Sequence, residues 1–225
     1  MEIKLSEFSK AEVLQYLGWR GSEIPEDVQK QIDECIKITL ESVKPRWTYK
    51  VFDIEWQGET PVLKEPQVAL IGNDIAAMLK DCKKCIFMAA TLGADIERVI
   101  RMAEIRNMSN AIILDCCSSS AIEAVCDKVE EEIKQKLNIE YLTDRFSAGY
   151  GDMPISFQTE MVNLLDTQRQ IGLMLTDSCI LTPRKSVTAI IGIADKKQTK
   201  RFRGCAYCSM FENCRFRKAG KTCGG

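Results

Sequence analysis

The sequence of 225 residues contains no histidine. This absence excludes any mechanism that needs an imidazole as general base or as metal ligand. No stretch approaches the roughly 18 uncharged apolar residues that a membrane-spanning helix needs. The first thirty residues carry charges throughout and lack the apolar core of a secretion signal. We therefore expect a cytoplasmic protein that makes no use of a membrane.

Cysteine, in contrast, is abundant, with eleven residues. Stable disulfides are rare in the cytoplasm, so these side chains are expected to be thiols or metal ligands. The last four, Cys205, Cys208, Cys214 and Cys223, are separated by two, five and eight residues. The first pair has the spacing with which two thiolates hold one ion, and we predict zinc or an iron–sulfur cluster on the four cysteines. The alternative is a poorly ordered terminus with unliganded thiols.

The charges also set the C-terminal tail apart. Residues 195–225 hold nine Lys and Arg residues against two acidic ones, whereas residues 1–194 hold 22 basic and 30 acidic residues. The net charges are therefore +7 and −8, and we place a domain boundary near Asp195. Aromatic residues alternate with the basic residues of the tail, a composition typical of a small nucleic-acid-binding module.

Helix and strand patterns are mixed along residues 1–194 without regular alternation. Ser9 and Glu12 have the spacing of a capping box, and Pro25 opens a second helix. Ser109 is expected to cap a long helix that ends at Leu137. The other expected elements are strands at 46–56, 85–90, 171–175 and 185–194, and helices at 94–107 and 156–165, the last capped by Ser156. The mixture favours an α+β fold, a single domain in which helices pack on a twisted, mostly antiparallel sheet.

The segment RFSAGYGDMP, residues 145–154, has the features of a binding loop. Arg145 can hold a carboxylate with two parallel charge-assisted hydrogen bonds. Gly149 and Gly151 let the main chain approach a ligand closely, and Tyr150 offers a flat face with a polar tip. Taken alone, such a segment is more often a turn with a solvated arginine.

The long helix carries one carboxylate on an otherwise uncharged stripe. Ile112, Cys116, Ser119, Glu123 and Cys126 repeat at steps of four and three and share one helix face. No lysine or arginine on the same helix is placed to neutralise Glu123, so its partner has to come from elsewhere. The alternative is a rim position with solvent access or a tertiary salt bridge.

A second motif, IGLMLTDSCILTPRKSV at residues 171–187, follows about twenty residues after the loop. RFSAGY followed by LTDS and PRKSV resembles the activation domain of cobalamin-dependent methionine synthase, in particular the free-standing activation proteins that some bacteria carry as a separate chain. The resemblance covers most of residues 1–194 and is strongest from residue 122 to 192. It implies the single α+β domain of that family. We assign no ligand contact to Lys185 and Ser186 in the second motif.

The resemblance implies a binding site for S-adenosylmethionine. It aligns Glu123 with the glutamate that receives the amino group of the ligand, and it leaves Arg145 to receive the carboxylate. The main chain of Ser147 and Gly149 would contribute hydrogen bonds. Tyr150 matches the tyrosine beside the corrin and the sulfonium methyl, which makes it the candidate for contact with the reacting group.

As the resemblance implies, the chain would hold the methyl group of S-adenosylmethionine over the cobalamin of a separate methionine synthase in the inactive Co(II) state. The partner would supply the cobalamin, since this chain has no histidine for cobalt, and a flavodoxin or ferredoxin would supply an electron. The chain would be one component of a methyltransferase that serves methionine biosynthesis. On its own it would bind its ligand with little turnover. The alternative function is a metal-binding tail that binds nucleic acid or an electron-transfer partner. It explains only the tail and leaves Glu123, Arg145 and the second motif unexplained, so we rank it below the activation function.

Overall fold

The structure, a computed structural model, describes residues 1–19 and 23–198. Within these residues the helices are α1 (Lys10–Tyr16), α2 (Glu26–Ser42), α3 (Asn73–Leu79), α4 (Asp95–Arg106), α5 (Met108–Leu137), α6 (Gln158–Leu165) and α7 (Thr167–Ile171). The strands are β1 (Arg46–Gln57), β2 (Thr60–Leu63), β3 (Val68–Ala69), β4 (Cys82–Thr91), β5 (Tyr141–Leu142), β6 (Met174–Leu175), β7 (Leu181–Thr182) and β8 (Ser186–Ala194). A short 3-10 helix, Ile155–Phe157, directly precedes α6.

Among the described residues, six strands form one sheet in the order β3-β2-β1-β4-β8-β5, and β6 and β7 form a separate pair. The pairs β1–β2, β2–β3 and β5–β8 are antiparallel, with Ile54 opposite Leu63 and Tyr141 opposite Ala194. Strands β4 and β8 are buried along most of their length, as central strands are when both faces are covered. Helices mixed with an antiparallel sheet confirm the predicted α+β class.

The chain folds as two compact units. Among the described residues, unit 1 consists of residues 1–19, 23–48, 90–132 and 167–187, and unit 2 of residues 49–89, 133–166 and 188–198. The predicted boundary near Asp195 stays a prediction. No helix within the described ranges combines the length and the apolar character needed to cross a bilayer.

The core of unit 1 forms where α1, α2 and α5 pack together. Its buried side chains are Val13, Ile32, Cys35, Ile113, Leu114, Cys116 and Cys117. Helix α1 begins as predicted, because the Ser9 hydroxyl accepts the Glu12 N–H at 3.2 Å. The Glu12 carboxylate accepts a hydrogen bond from Ser120 of α5 at 2.9 Å, so it connects two helices instead of completing a capping box.

The predicted cap of the long helix is wrong by two residues. Helix α5 begins at Met108, and the Asn107 side chain accepts the N–H of Asn110 at 3.3 Å. The Ser109 hydroxyl accepts a hydrogen bond from Gln31 of α2 at 3.1 Å. Asparagine and serine are equally good caps, so the sequence between residues 107 and 109 does not decide between them.

Two further predictions near the C-terminal half need correction. Ser156 lies inside the 3-10 helix, so it does not cap α6. The predicted strand at 171–175 is reduced to Met174–Leu175, because Ile171 ends α7 and Gly172 turns the chain with φ of 70°. A left-handed glycine directly after a helix is a common helix terminator.

The core of unit 2 contains an aromatic cluster around β4. Phe87 is fully buried between Phe52 and Phe157, with ring centroids 5.1 and 6.5 Å away and edge-to-face geometry. Phe157 ends the 3-10 helix that follows the predicted binding loop. The cluster therefore anchors the C-terminal end of that loop to the sheet.

Candidate functional site

The start of the binding loop, residues 145–154, is attached to strand β8 within unit 2. Phe146 and Ile190 exchange two main-chain hydrogen bonds of 2.9 and 2.8 Å. The Ser147 hydroxyl donates to the Thr188 carbonyl at 2.7 Å. Arg145, immediately before this attachment, is half-buried. Its guanidinium therefore extends from a part of the loop whose main chain is fixed by the sheet.

The tip of the loop is a turn closed by its own main chain. The Tyr150 N–H donates to the Ser147 carbonyl, the Met153 N–H to the Tyr150 carbonyl, and the Gly149 N–H to the Met153 carbonyl, each at 3.1 Å. Gly149 and Gly151 have φ values of 87° and 53°, a region that favours glycine. The turn presents Tyr150 at its tip, where 69% of the residue is exposed.

A single carboxylate fixes the far side of the loop. Asp152 accepts the N–H groups of Asn73 and Asp74 at 2.6 and 3.1 Å, which places it at the first turn of α3. These two hydrogen bonds, that from Asn73 first, lower the pKa of Asp152. A methyl group on Gly72 would lie 2.6 Å from the Asp152 carboxylate, and one on Gly151 would collide with Asp74. With φ values of 134° and 53°, Gly72 and Gly151 adopt backbone conformations that favour glycine, and the absence of a side chain at both positions leaves the two carboxylates in place.

We expect the Asp152 contact to stabilise the fold at neutral pH and to lose this effect in acid. The folded-state pKa lies below the unfolded value of about 3.9, so the contribution is fully present above the unfolded pKa and disappears as the pH falls through the folded pKa. Asp152→Asn should lower the melting temperature at pH 7 and show a shallower loss below about pH 4. Thermal unfolding across this pH range measures both effects. Asp177→Asn, at an exposed position between β6 and β7, should keep the wild-type profile, and a wild-type profile for Asp152→Asn would contradict the contact.

Glu123 lies on α5 in unit 1. Along the predicted stripe, Ile112 is 53% exposed, Cys116 is buried and Cys126 is fully buried. Glu123 and Ser119, between these ends, are half-buried. The stripe is thus partly exposed at Ser119 and Glu123 and closed at Cys126.

Lys185, at the end of the turn between β7 and β8, reaches the same face of α5. Its ammonium forms an ion pair with the Asp115 carboxylate at 2.8 Å. It also donates to the Asp115 carbonyl at 3.0 Å and to the Ser119 hydroxyl at 2.9 Å. The neighbouring Ser186 hydroxyl lies within hydrogen-bonding distance of the Pro183 carbonyl oxygen, at 2.6 Å, and of the Thr91 hydroxyl, at 2.8 Å. The turn is therefore fixed to α5 one helical turn before Glu123.

The second sequence motif, residues 171–187, also lies in unit 1. It forms the β6–β7 hairpin, in which Met174 pairs with Thr182 and Leu175 with Leu181. The Thr176 hydroxyl accepts the Ile180 N–H at 3.0 Å and closes the connecting loop. The motif thus has a structural role in shaping the hairpin that leads to Lys185.

The sequence from residue 73 to 203 matches the family model of the vitamin B12-dependent methionine synthase activation domain. The match covers more than half of the chain and includes Glu123, residues 145–154 and residues 171–187. The chain belongs to this family. The resemblance seen in the sequence is confirmed.

A solved structure with a similar fold is the crystal structure of the MetH reactivation domain bound to AdoHcy. The sequences are 12% identical, the TM-score is 0.62, and the alignment covers 100% of this chain and 86% of that chain. At this identity the similarity concerns the fold, and it agrees with the predicted fold of an activation domain. No curated protein matches the chain.

Four of the five predicted ligand residues of this activation domain lie together in one loop: Arg145, Ser147, Gly149 and Tyr150. Glu123, the fifth, belongs to the other unit. The Ser147 hydroxyl and the Gly149 N–H already bond to Thr188 and Met153, so both groups shape the loop. The ligand contacts of all five residues stay predictions.

Three residues of the described structure were absent from the predicted site. Asp152 fixes the loop, and Lys185 and Asp115 act together on the Glu123 face. Asp115 lies four residues before Ser119 and eight before Glu123, a spacing that places it on the edge of the predicted stripe. The helical period alone could therefore have pointed to Asp115. Lys185 belongs to the second motif, but nothing in that motif indicated that its side chain would meet α5.

The cysteines of the described residues are packing residues. Cys35, Cys82, Cys85, Cys116, Cys117 and Cys126 are buried free thiols, and Cys179 is half-buried. Burial raises the pKa of Cys82 to about 11 and that of Cys117 to about 12, which disfavours the thiolate needed for metal binding. No cluster able to hold a metal ion occurs in residues 1–19 and 23–198. The predicted ligands Cys205, Cys208, Cys214 and Cys223 lie outside the described residues.

Proposed function

We propose that this activation domain binds S-adenosylmethionine and holds its methyl group for transfer to the cobalamin of a separate methionine synthase. The observation that carries the proposal is the family match from residue 73 to 203, because it includes every residue predicted to contact the ligand. The MetH reactivation domain of similar fold was crystallised with AdoHcy, the demethylated form of S-adenosylmethionine. A ligand of this class therefore has precedent on the fold.

The charges of the ligand headgroup fit the two charged residues. Arg145 can bind the carboxylate with two parallel hydrogen bonds, and Glu123 can bind the ammonium. Both side chains are half-buried. Partial burial strengthens a charge pair relative to bulk water without the full desolvation cost of the deep interior.

The exposed ring of Tyr150 fits the third feature of the ligand, its sulfonium. An aromatic face attracts a cation within about 6 Å. The hydrogen-bonded turn holds the ring at the tip of the loop, open to solvent. Tyr150 is therefore the residue that we place beside the transferred methyl group.

Positioning is the contribution that this chain makes to the reaction. The partner's cobalamin would supply the nucleophilic cobalt after one-electron reduction by a flavodoxin or ferredoxin. Transfer of a methyl group from a sulfonium requires no proton transfer from the protein, so a chain without histidine is suited to it. The loop and α5 would bind and orient the methyl donor, and the chain alone would show ligand binding with little turnover.

Replacement of Glu123 by glutamine tests the ammonium contact. The amide keeps the shape of the side chain and removes its charge, so we expect S-adenosylmethionine to bind about 10-fold more weakly, the loss of one charge-assisted hydrogen bond. Titration calorimetry of the full chain measures the change. Glu104→Gln, at an exposed position on α4, is the matched control and should bind as the wild type does.

The proposed reaction is tested by reconstitution. The full chain, a cobalamin-bound methionine synthase, a reductant and methyl-labelled S-adenosylmethionine should together yield label on the cobalamin. Label transfer should depend on the chain and decrease in Glu123→Gln. Absence of S-adenosylmethionine binding by the wild-type chain would overturn the proposal.

A further inference from the structure

The corner between α4 and α5 in unit 1 exposes a group of large apolar side chains. The opposite face of α4 is accounted for, because it packs against the unit 1 core through Val99, Ile100 and Ala103. On the outward face Ile105 is 87% exposed. Three more large apolar residues between positions 102 and 112 are over half exposed: Met102, Met108 and Ile112. Single exposed apolar residues are ordinary, but such a group, here named the corner patch, is typical of an interaction surface.

The corner patch is continuous and has a fixed shape. Met102 and Ile105 are three residues apart on α4, and Met108 and Ile112 are four apart on α5, so each pair is adjacent on its helix surface. Asn107 joins the helices. Its N–H donates to the Ala103 carbonyl at 2.7 Å, and its side chain accepts the N–H of Asn110 at 3.3 Å. A surface fixed in this way loses little conformational freedom when it binds a partner.

Arginines border the α4 side of the patch. Arg98 and Arg106 are exposed and lie four residues before and after Met102, so both are its neighbours on the helix surface. Arg98 forms an ion pair with Asp95, but a guanidinium has five N–H donors and can bind a second carboxylate. Glu104 lies on the side of α4 away from Met102. Methionine and arginine are enriched in protein interfaces, and a basic border fits a partner surface that carries carboxylates.

We propose that the corner patch is a docking surface for the cobalamin-bound methionine synthase, through a partner surface that is apolar at its centre and acidic at its border. The inference rests on the proposed function, which requires a second protein to present its cobalamin to this chain. Ile112 and Glu123 lie on one stripe of α5, eleven residues or about 17 Å apart. A standard interface covers about 800 Å² of each partner, a disc of about 16 Å radius. One interface can therefore include both the stripe near Glu123 and the patch.

A second copy of this chain fits the patch less well. A two-fold symmetric contact centred on the patch brings the same surface of both copies together. It would place Arg98 and Arg106 of one copy near the same arginines of the other, and like charges brought together in an interface disfavour binding. Carboxylates on a different protein would instead pair with these arginines.

The test uses the full chain with cobalamin-bound methionine synthase, a reductant and methyl-labelled S-adenosylmethionine. Ile105→Glu removes the most exposed apolar side chain of the patch and places a negative charge opposite the expected carboxylates. We expect the methionine synthase concentration for half-maximal label transfer to rise about 30-fold, as for a central interface residue. The transfer rate at saturating methionine synthase and the affinity for S-adenosylmethionine should stay unchanged. Ile105→Ser, which adds no charge, should give a rise of about 10-fold.

The charge border is tested by Arg106→Ala. This variant should bind methionine synthase about fivefold more weakly, and its affinity should depend less on the NaCl concentration than that of the wild type. Sedimentation velocity with methionine synthase measures these affinities directly and without label transfer. Two matched controls lie on α2 in unit 1, where Ile38 and Lys37 are also exposed. Ile38→Glu and Lys37→Ala should bind methionine synthase as the wild type does, and circular dichroism verifies the fold of every variant.

Wild-type affinity for methionine synthase in Ile105→Glu would overturn the inference, and so would an equal loss in Ile38→Glu. A loss confined to self-association of the chain, or to binding of a flavodoxin, would assign the patch to a different occupant and would also overturn it. A wild-type chain that binds methionine synthase but transfers no label would contradict the proposed function, whereas Ile105→Glu would still decide the docking surface by sedimentation. A wild-type chain that does not bind methionine synthase would overturn the inference outright.

Discussion

Replacement of Arg145 by alanine is expected to weaken S-adenosylmethionine binding about 100-fold, which corresponds to about 2.7 kcal/mol. The variant removes both hydrogen bonds of a bidentate arginine–carboxylate pair, each of which contributes about 1.5 to 3 kcal/mol, and at this half-buried position water that hydrates the released carboxylate offsets part of the loss. The main chain beside Arg145 is held by the Phe146–Ile190 bridge, so truncation of the side chain should leave the loop in place. Calorimetry on the purified variant measures the affinity, and circular dichroism confirms the fold.

Two companion variants make the result specific to the guanidinium. Arg145→Lys keeps the charge without the planar fork and should lose an intermediate amount, about 10-fold. Arg101→Ala, at an exposed position on α4, should bind as the wild type does. 5′-Methylthioadenosine, which has no carboxylate, should bind Arg145→Ala and the wild type equally. If Arg145→Ala bound S-adenosylmethionine with unchanged affinity, the assignment of the carboxylate to Arg145 would be wrong.

The features that were predictable from the sequence are those set by local chemistry. Ser9 at the start of α1 and Pro25 before α2 were recognisable because the first turn of a helix has unsatisfied N–H groups and tolerates proline. The buried strand β4 was recognisable as a continuous apolar run. Arg145 and Tyr150 were expected to lie close together because only four residues of one loop separate them. In each case the residues that determine the feature are close to one another in the sequence.

The features that escaped prediction depend on contacts between distant segments. Strands β2 and β3 are only four and two residues long, too short for a period to be read, and they exist because β2 pairs with β1 and β3 pairs with β2. Asp152 meets Asn73 across 79 residues. Lys185 meets Asp115 across 70 residues. The helical period of α5 indicates which face needs a partner, but it does not indicate which segment supplies one.

Replacement of Phe87 by alanine is expected to lower the free energy of unfolding by about 4 kcal/mol. Truncation of a fully buried phenylalanine typically costs about 3 to 5 kcal/mol, since the apolar surface is lost and the cavity closes only in part. The edge-to-face contacts with Phe52 and Phe157 add about 0.5 to 1.5 kcal/mol for each aromatic pair, which places the site at the upper part of this range. For a chain of this length the melting temperature should fall by about 10 °C in differential scanning calorimetry.

Variants that separate stability from ligand binding complete this test. Phe87→Leu keeps most of the buried volume and should cost less than half as much as Phe87→Ala. Tyr150→Ala removes an aromatic ring of similar size from a position that is 69% exposed, so its stability should stay within about 0.5 kcal/mol of the wild type.

Because Phe157 joins the aromatic cluster to the end of the binding loop, Phe87→Ala should also weaken ligand binding, and lowering the temperature should restore part of the affinity. A loss of affinity in Tyr150→Ala should persist at every temperature, since it removes a ligand contact and leaves the core intact. An equal melting temperature for Phe87→Ala and Tyr150→Ala would contradict the role of the cluster.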